Sequence, residues 1–346
     1  MRILSLLLRP LSWLYGLILW IRHLLYDRGL LCSNSFDQPI IRIGNLSLGG
    51  TGKTPMTIFI AEYLSERHNV YILSRGYGGK SRGIQEVRIT SLVDEVGDEP
   101  LMLKKRLPKV HVFVSNDRVA GIRHINTIDP DRKIVLLDDS LQHRSLAGGL
   151  QVLLTDINHI FCVDYLLPAG RLRDLKSRAS QVDIIVVSKL KSLTEDTTRA
   201  DEAILRYSQA PVFHTSLSSM GIKDNLTDDE AFLNPKVLVV SAIANPYTFY
   251  QMLQERTIIK KKYEYRDHYQ YTEADLNKWL IYCQENGITQ ILTTEKDAVK
   301  MKDFKDKLDK AKVAILVLPI QTKMAENETI DFFQKIETYI KTYEIN

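Results

Sequence analysis

This sequence predicts an α/β fold built on a doubly wound, mostly parallel sheet, and three observations carry that prediction. Short runs rich in Val, Ile and Leu recur at 40–43, 70–73, 110–114, 134–137, 152–154 and 184–187, each ending in glycine or polar residues. Parallel strands buried on both faces read this way. Between the runs lie stretches with apolar residues at helical spacing, 56–67 being the clearest, so strand and helix alternate. The residues with chemical potential cluster just after the strand runs, and in an open α/β sheet ligands bind beyond the carboxyl ends of the strands.

Composition sets the bounds. At 346 residues, 45% hydrophobic and 25% charged, the chain is a folded globular protein with room for more than one domain. A formal charge of +4 makes no case for nucleic-acid binding. Cys32, Cys162 and Cys283 are odd in number and far apart, which favours ordinary thiols in a reducing compartment. No repeat or low-complexity tract stands out, and nothing points to an obligate protein partner.

Residues 1–28 differ from all that follows. Leucine and isoleucine crowd together there, with Arg2, Arg9, Arg22 and Arg28 interspersed. The uncharged run Pro10 to Ile21 is 12 residues. That is about 18 Å of helix, short of a hydrocarbon core of about 30 Å. Trp13 and Trp20, two turns apart on one face, suit interfacial anchors, so a membrane-associated helix is expected in preference to a span, a signal peptide or a core helix. Residues 29–225 then form the main domain. Near 210–229 the pattern loosens, and 226–346 reads as a smaller α/β domain, with runs at 237–240, 290–293 and 313–318, a capping box at Thr272 and Asp275, and an amphipathic helix at 330–343.

At the first strand, Ile40, Ile41 and Ile43 lead into Gly44-Asn45-Leu46-Ser47-Leu48-Gly49-Gly50-Thr51-Gly52-Lys53-Thr54-Pro55. A buried strand, a glycine-rich turn and a helix follow in order, which is the form of a phosphate-binding loop of the Walker A type. Residues Ser47, Leu48, Gly49, Gly50, Thr51, Gly52, Lys53 and Thr54 would surround the phosphates, with Lys53 at the β/γ-phosphates and the Thr54 hydroxyl on Mg²⁺. Ser47 stands where the first glycine of the pattern belongs.

The run at 134–137 ends in Asp138 and Asp139, the Walker B form, in which a strand-tip carboxylate holds Mg²⁺ beside Thr54. Gln142 and His143 follow in the same loop as candidates for phosphate or substrate contact. Gly97-Asp98-Glu99-Pro100 sets two carboxylates in a proline-bounded turn. They suit a general base and a second metal contact, or equally an acidic helix N-terminus. Asp267-His268-Tyr269 places a carboxylate beside an imidazole, either a proton relay or solvated charge. Arg171, Arg173, Lys176 and Arg178 follow a Pro-Ala-Gly turn and suit an anionic substrate or a solvated face.

Taken together, these motifs resemble the tetraacyldisaccharide 4′-kinases, the lipid A 4′-kinases of Gram-negative bacteria. The resemblance rests on Gly44-Asn45, the phosphate loop through Pro55, Ser74-Arg75-Gly76-Tyr77-Gly78-Gly79, Gly97 to Pro100, Asp138-Asp139 with Gln142-His143, Leu167-Pro168-Ala169-Gly170, Asp267-His268 and Thr293 to Val299. It implies an ATP- and Mg²⁺-dependent kinase acting on the 4′-hydroxyl of an acylated glucosamine disaccharide-1-phosphate, a lipid A precursor. The same resemblance implies a membrane surface as the place of work, on the cytoplasmic face of the bacterial inner membrane. Asp98 is implied as base together with His268. The motifs themselves offer Thr54, Asp138, Asp139 and Glu99 as metal ligands, and Asn45, Arg75, Gln142, His143 and Arg173 are the candidate substrate contacts. This chain departs from the family pattern at Ser140, Arg171, Tyr269 and Gly148-Gly149, none of them at Lys53, Thr54, Asp98 or Asp138.

The competing class is a membrane-associated P-loop ATPase whose output is a conformational switch. A GTP switch would need an N-K-x-D-type element, and neither Ser188-Lys189-Leu190-Lys191 nor Glu295-Lys296-Asp297 supplies it. Phosphate transfer to a lipid acceptor, as against slow hydrolysis alone, separates the two classes.

Overall fold

In the computed structural model, which describes residues 2–80 and 82–343, the chain opens on helix α1 (Arg2–Asp27). A larger α/β unit begins with β1 (Ile40–Asn45), α2 (Lys53–Leu64), β2 (Val70–Ser74), β3 (Gln85–Val87), α3 (Val93–Val96), α4 (Asp98–Arg106) and β4 (His111–Val114). It continues through α5 (Arg118–Ile128), β5 (Ile134–Asp138), β6 (Leu150–Asp156), β7 (Ile184–Leu190), α6 (Thr198–Leu205) and β8 (Val212–Ser219). A smaller unit holds β9 (Lys223–Asp224), β10 (Lys236–Ser241), α7 (Tyr247–Gln254), β11 (Ile258–Glu264), α8 (Glu273–Asn286), β12 (Gln290–Thr293), α9 (Glu295–Ala298), α10 (Lys305–Ala311) and β13 (Ala314–Val317). The chain closes on β14 (Ile320–Met324) and α11 (Glu326–Lys341).

Two sheets result. The larger runs β14-β8-β7-β6-β1-β5-β2-β4-β3, parallel from β8 to β4 with antiparallel strands at both edges. Every residue of β1, β2 and β5 is buried, Arg42 of β1 included, and these strands read as near-continuous apolar runs rather than alternating ones. Strand β1 sits between β5 and β6, so the chain winds one way through β2 and the other way through β6 and β7. The crevice at the carboxyl ends of β1 and β5 is therefore the expected ligand position. The smaller sheet, β11-β10-β12-β13-β9, is parallel apart from β9.

The domain boundary expected at residue 226 needs correction at both ends. Strand β9 lies before it yet pairs with β13, and the last strand and helix return to the larger unit. β14 pairs antiparallel with β8, covering an edge that would otherwise expose unpaired backbone groups. Helix α11 lays Phe332, Phe333, Ile336 and Ile340 into the core that also holds Ile58, Ile60 and Leu64 of α2, and Phe333 stacks on Tyr63 at 3.7 Å between ring centroids.

Helix α1 has 26 residues, and among the described residues no helix is long and apolar enough to cross a membrane. Met1 and the side chain of Arg2 lie outside the described residues. Two of the interspersed arginines are engaged with protein: Arg9 lies over the Tyr165 ring at 4.8 Å and Arg22 donates to the Gln142 carbonyl at 3.1 Å.

Candidate active site

The phosphate loop joins β1 to α2 in the crevice. Gly52, the residue before α2, has φ +82, a left-handed conformation that side chains rarely adopt, and no side chain caps the helix behind it. The first backbone N–H groups of α2 are thus left for an anion. The loop is held from beneath. Asn45 Nδ2 donates to Thr51 Oγ1 at 2.8 Å, and Ser188 Oγ donates to the Thr51 carbonyl at 2.8 Å. Ser47, which replaces a glycine of the pattern, is buried with no positive φ and pairs its backbone with Leu172, so a side chain is accommodated there.

Asp138 ends β5 next to this loop. Its Oδ1 is buried and has no hydrogen-bond partner among the described residues, and burial, with the charges of Glu99 and Asp139 adding to it, pushes the carboxyl up to about 7. Asp139 has φ +53, an uncommon backbone conformation for a residue with a Cβ and one that concentrates at functional sites. Burial works against its charge, but the Arg173 hydrogen bond and the nearby Lys53 hold it at about 2. Lys53 Nζ lies 3.7 Å from Asp139 Oδ1, and Arg173 spans Asp139 and the Asn45 side chain. Lys53 therefore stands in the loop already paired with one of the two strand-end carboxylates.

Glycine also shapes the turn carrying Asp98. Gly97 has φ +90, and a Cβ there would meet the Tyr77 carbonyl oxygen at 2.6 Å, so the 74–79 loop crosses this turn backbone to backbone. Asp98, buried at the start of α4, receives two groups from the smaller unit: His268 Nδ1 at 2.9 Å and Lys300 Nζ at 3.6 Å. Burial would raise the Asp98 carboxyl, but the His268 hydrogen bond and the Lys296 and Lys300 charges outweigh it and hold it below its ordinary range. For His268, burial opposes protonation and the bond to Asp98 overcomes it, so the imidazole is raised. Both directions put the shared proton on His268. Its φ of +57 makes it, after Asp139, a second residue with a Cβ held in a left-handed backbone here, and the Tyr77 ring lies 4.7 Å from its imidazole. Lys296 completes the closure, donating to Glu99 Oε1 at 3.1 Å and Asp267 Oδ1 at 2.9 Å.

A glycine-rich loop at a helix N-terminus, a strand-end carboxylate pair and a buried carboxylate bonded to an imidazole are the groups a phosphotransferase site uses. Residues 4–339 match the family model for tetraacyldisaccharide-1-P 4′-kinase, LpxK. The chain belongs to this family. It is 37% identical to the tetraacyldisaccharide 4′-kinase of Cytophaga hutchinsonii over 86% of each chain. Against that of Flavobacterium johnsoniae it is 34% identical, covering 99% of this chain and 98% of the relative. The crystal structure of the "apo" form of LpxK from Aquifex aeolicus in complex with ATP aligns with a TM-score of 0.77 at 28% identity, covering 98% of this chain and 99% of that one.

The remaining candidates of this kinase-family chain are placed unevenly. Asn45 is fully buried and spends its side chain on Thr51 and Arg173, and Gln142 Nε2 donates to the Asn45 carbonyl at 2.8 Å. Both brace the loop from behind. Arg75 is exposed after β2, and His143 is driven down to about 4 by burial and by the charges of Arg118 and Arg75, so it is neutral. Three side chains escape a reading of the sequence. Arg118 is buried and donates to the Asp138 carbonyl at 2.8 Å, and no pattern around it marks it. Lys296 and Lys300 sit in or beside the Thr293 to Val299 stretch that carried the resemblance, which was the available signal.

Proposed function

We propose that this chain transfers the γ-phosphate of ATP to the 4′-hydroxyl of an acylated glucosamine disaccharide-1-phosphate at a membrane surface. The observation that carries the reading is the Asp98–His268 pair, held across two units of the fold, with Glu99, the next residue, close enough for its charge to act on Asp138. The acceptor oxygen attacks the γ-phosphorus, the bond to the β,γ-bridging oxygen breaks, ADP leaves, and the hydroxyl proton passes to Asp98. His268 orients the carboxylate, and Lys53 with the α2 N-terminus binds the phosphate charge.

The donor set suits Mg²⁺. Asp138 offers a buried oxygen with no hydrogen-bond partner among the described residues, and Asp139, Glu99 and the Thr54 hydroxyl are further hard oxygen donors. Among the described residues no three His, Cys, Asp or Glu side chains form a cage of their own, and Mg²⁺ sites commonly complete their shell with phosphate oxygens and water. When bound, the ion would neutralise charge on the β- and γ-phosphates.

An acceptor with several acyl chains stays in the bilayer, at about 0.8 kcal/mol per buried CH₂, so the enzyme must come to it. The outward face of α1 supports this: Trp13 is 73% exposed and Trp20 53%, with Leu7, Leu11, Leu14 and Ile18 also exposed around them. A bilayer on the cytoplasmic side of the inner membrane is the occupant this face fits, because ATP is the co-substrate and tryptophans anchor at lipid interfaces. Radiolabelled phosphate from ATP appearing in a detergent-dispersed disaccharide-1-phosphate lipid supports the reading. Release as inorganic phosphate alone supports a switch ATPase instead.

A further inference from the structure

The face of α1 turned away from that apolar surface is polar and built into the protein. Ser12, Gly16, Leu19 and His23 recur at helical spacing and form its inner stripe, Leu19 being buried and Gly16 admitting the Leu166 side chain where a Cβ would come within 2.9 Å. Most of what this stripe holds belongs to one irregular segment, residues 165–175, the other partner being Arg144, whose Nη1 lies 3.4 Å from His23 Nδ1. Ser12 Oγ donates to the Leu166 carbonyl at 2.8 Å and accepts from the Ala169 N–H at 3.0 Å. Tyr15 donates its hydroxyl to the Arg173 carbonyl at 2.9 Å. His23 Nε2 meets Asp174 Oδ1 at 2.6 Å, both side chains being buried.

On its other side the same segment pairs with the phosphate loop. Leu48 donates its N–H to the Arg171 carbonyl at 2.7 Å, and Arg173 donates its N–H to the Leu46 carbonyl at 2.8 Å. The Arg173 guanidinium joins Asp139 to Asn45, and Asp139 faces Lys53 at 3.7 Å.

We infer that His23 and Tyr15 are positioning residues for phosphoryl transfer: the membrane-facing helix is also a wall of the active site, setting the 165–175 segment and with it Arg173 against Asp139 and the phosphate loop. The inference rests on the kinase reading above. Its physical basis is the connectivity. Residue 174 is held by His23 and residue 173 by Tyr15, in a segment whose own pairing is limited to isolated bridges at Leu166 and Leu172. An error of about 1 Å in a positioned group can cost about 10²-fold in rate.

The test uses the full-length protein with ATP and a detergent-dispersed disaccharide-1-phosphate lipid, so that turnover does not depend on membrane attachment. His23→Ala is expected to lower kcat about 10- to 100-fold with the KM for ATP changed less than about 3-fold. Cosedimentation with vesicles of phosphatidylethanolamine and phosphatidylglycerol should stay at the wild-type level. His23→Gln, whose amide again offers a donor to Asp174, should recover most of kcat. Should His23→Ala fail to fold, Tyr15→Phe removes one hydroxyl and is expected to lower kcat about 3- to 10-fold with vesicle binding unchanged. Wild-type kcat in the foldable variants, or His23→Gln no better than His23→Ala, overturns the inference while leaving the kinase reading intact. A wild-type protein that transfers no phosphate to lipid overturns the kinase reading and the inference with it.

Discussion

Replacing Asp98 with Asn separates chemistry from architecture in one variant. The side chain is 2% exposed, keeps nearly the same shape, and loses the charge that His268 and Lys300 face at 2.9 and 3.6 Å. If Asp98 takes the hydroxyl proton, turnover falls about 10²- to 10⁴-fold, or about 2.7–5.5 kcal/mol of transition-state stabilisation. The stability cost is smaller, because Lys300 keeps Asp297 at 2.6 Å and is not stranded. Losing one charged hydrogen bond then costs about 1.5–3 kcal/mol, below the 3–5 kcal/mol or so of an orphaned buried charge. The pH dependence has a definite sign. Asp98 is depressed, so its contribution is complete above the ordinary 3.8 and is lost as pH falls through its folded value; His268 is raised, so its contribution is complete below the ordinary 6.5 and is lost as pH rises through its own. The stability gap between wild type and Asp98→Asn should be widest between those limits and narrow on either side. Product formation gives kcat, calorimetry with ATP gives affinity, and thermal unfolding across pH gives the gap. Equal losses in ATP affinity and turnover would refute the base assignment and make Asp98 a nucleotide or metal contact.

Other expectations follow from single contacts. Lys53→Ala and Thr54→Ala should each abolish transfer with thermal unfolding near wild type, and near-normal turnover of Lys53→Ala at saturating ATP and Mg²⁺ would remove the phosphate-loop assignment. Gly97→Ala forces a Cβ to 2.6 Å from the Tyr77 carbonyl at φ +90. Strain of about 1–3 kcal/mol should appear as a lower Tm together with reduced kcat, since Asp98 is the next residue. Replacing Trp13 and Trp20 with Ser should weaken vesicle cosedimentation more than high salt does on the wild type, and unchanged partition would place the anchor elsewhere.

The larger sheet is legible in the sequence because β1, β2 and β5 are buried on both faces, which leaves runs dominated by Ile, Val and Leu, Arg42 and Tyr71 aside, with no solvent-facing alternation to blur them. The phosphate loop and Asp138 are legible for a related reason: their chemistry is local, fixed within a few residues of a strand end. What pattern cannot carry is long-range partnership. Nothing in the run Ile320–Met324 says that it will cover β8 rather than extend the smaller sheet, and α11 shows an apolar stripe without showing which core it enters. The inner stripe of α1 is hidden because leucine and tryptophan dominate that helix, and a buried Ser and His among them look like interruptions. Arg118 is a buried cation that donates to the Asp138 carbonyl, a partner the fold brings to it, so its own neighbours in sequence are silent; Lys300 has Asp297 three residues before it, but its approach to Asp98 depends on the fold.

The central claim is tested most directly by the position of the transferred phosphate. The full-length protein is incubated with ATP, Mg²⁺ and a detergent-dispersed acylated disaccharide-1-phosphate, and the product lipid is analysed by mass spectrometry and phosphorus NMR. One added phosphate, on the 4′-oxygen and absent with Asp98→Asn, is the predicted result. An unmodified lipid alongside ATP hydrolysis, or phosphate added at any other position, would contradict the account.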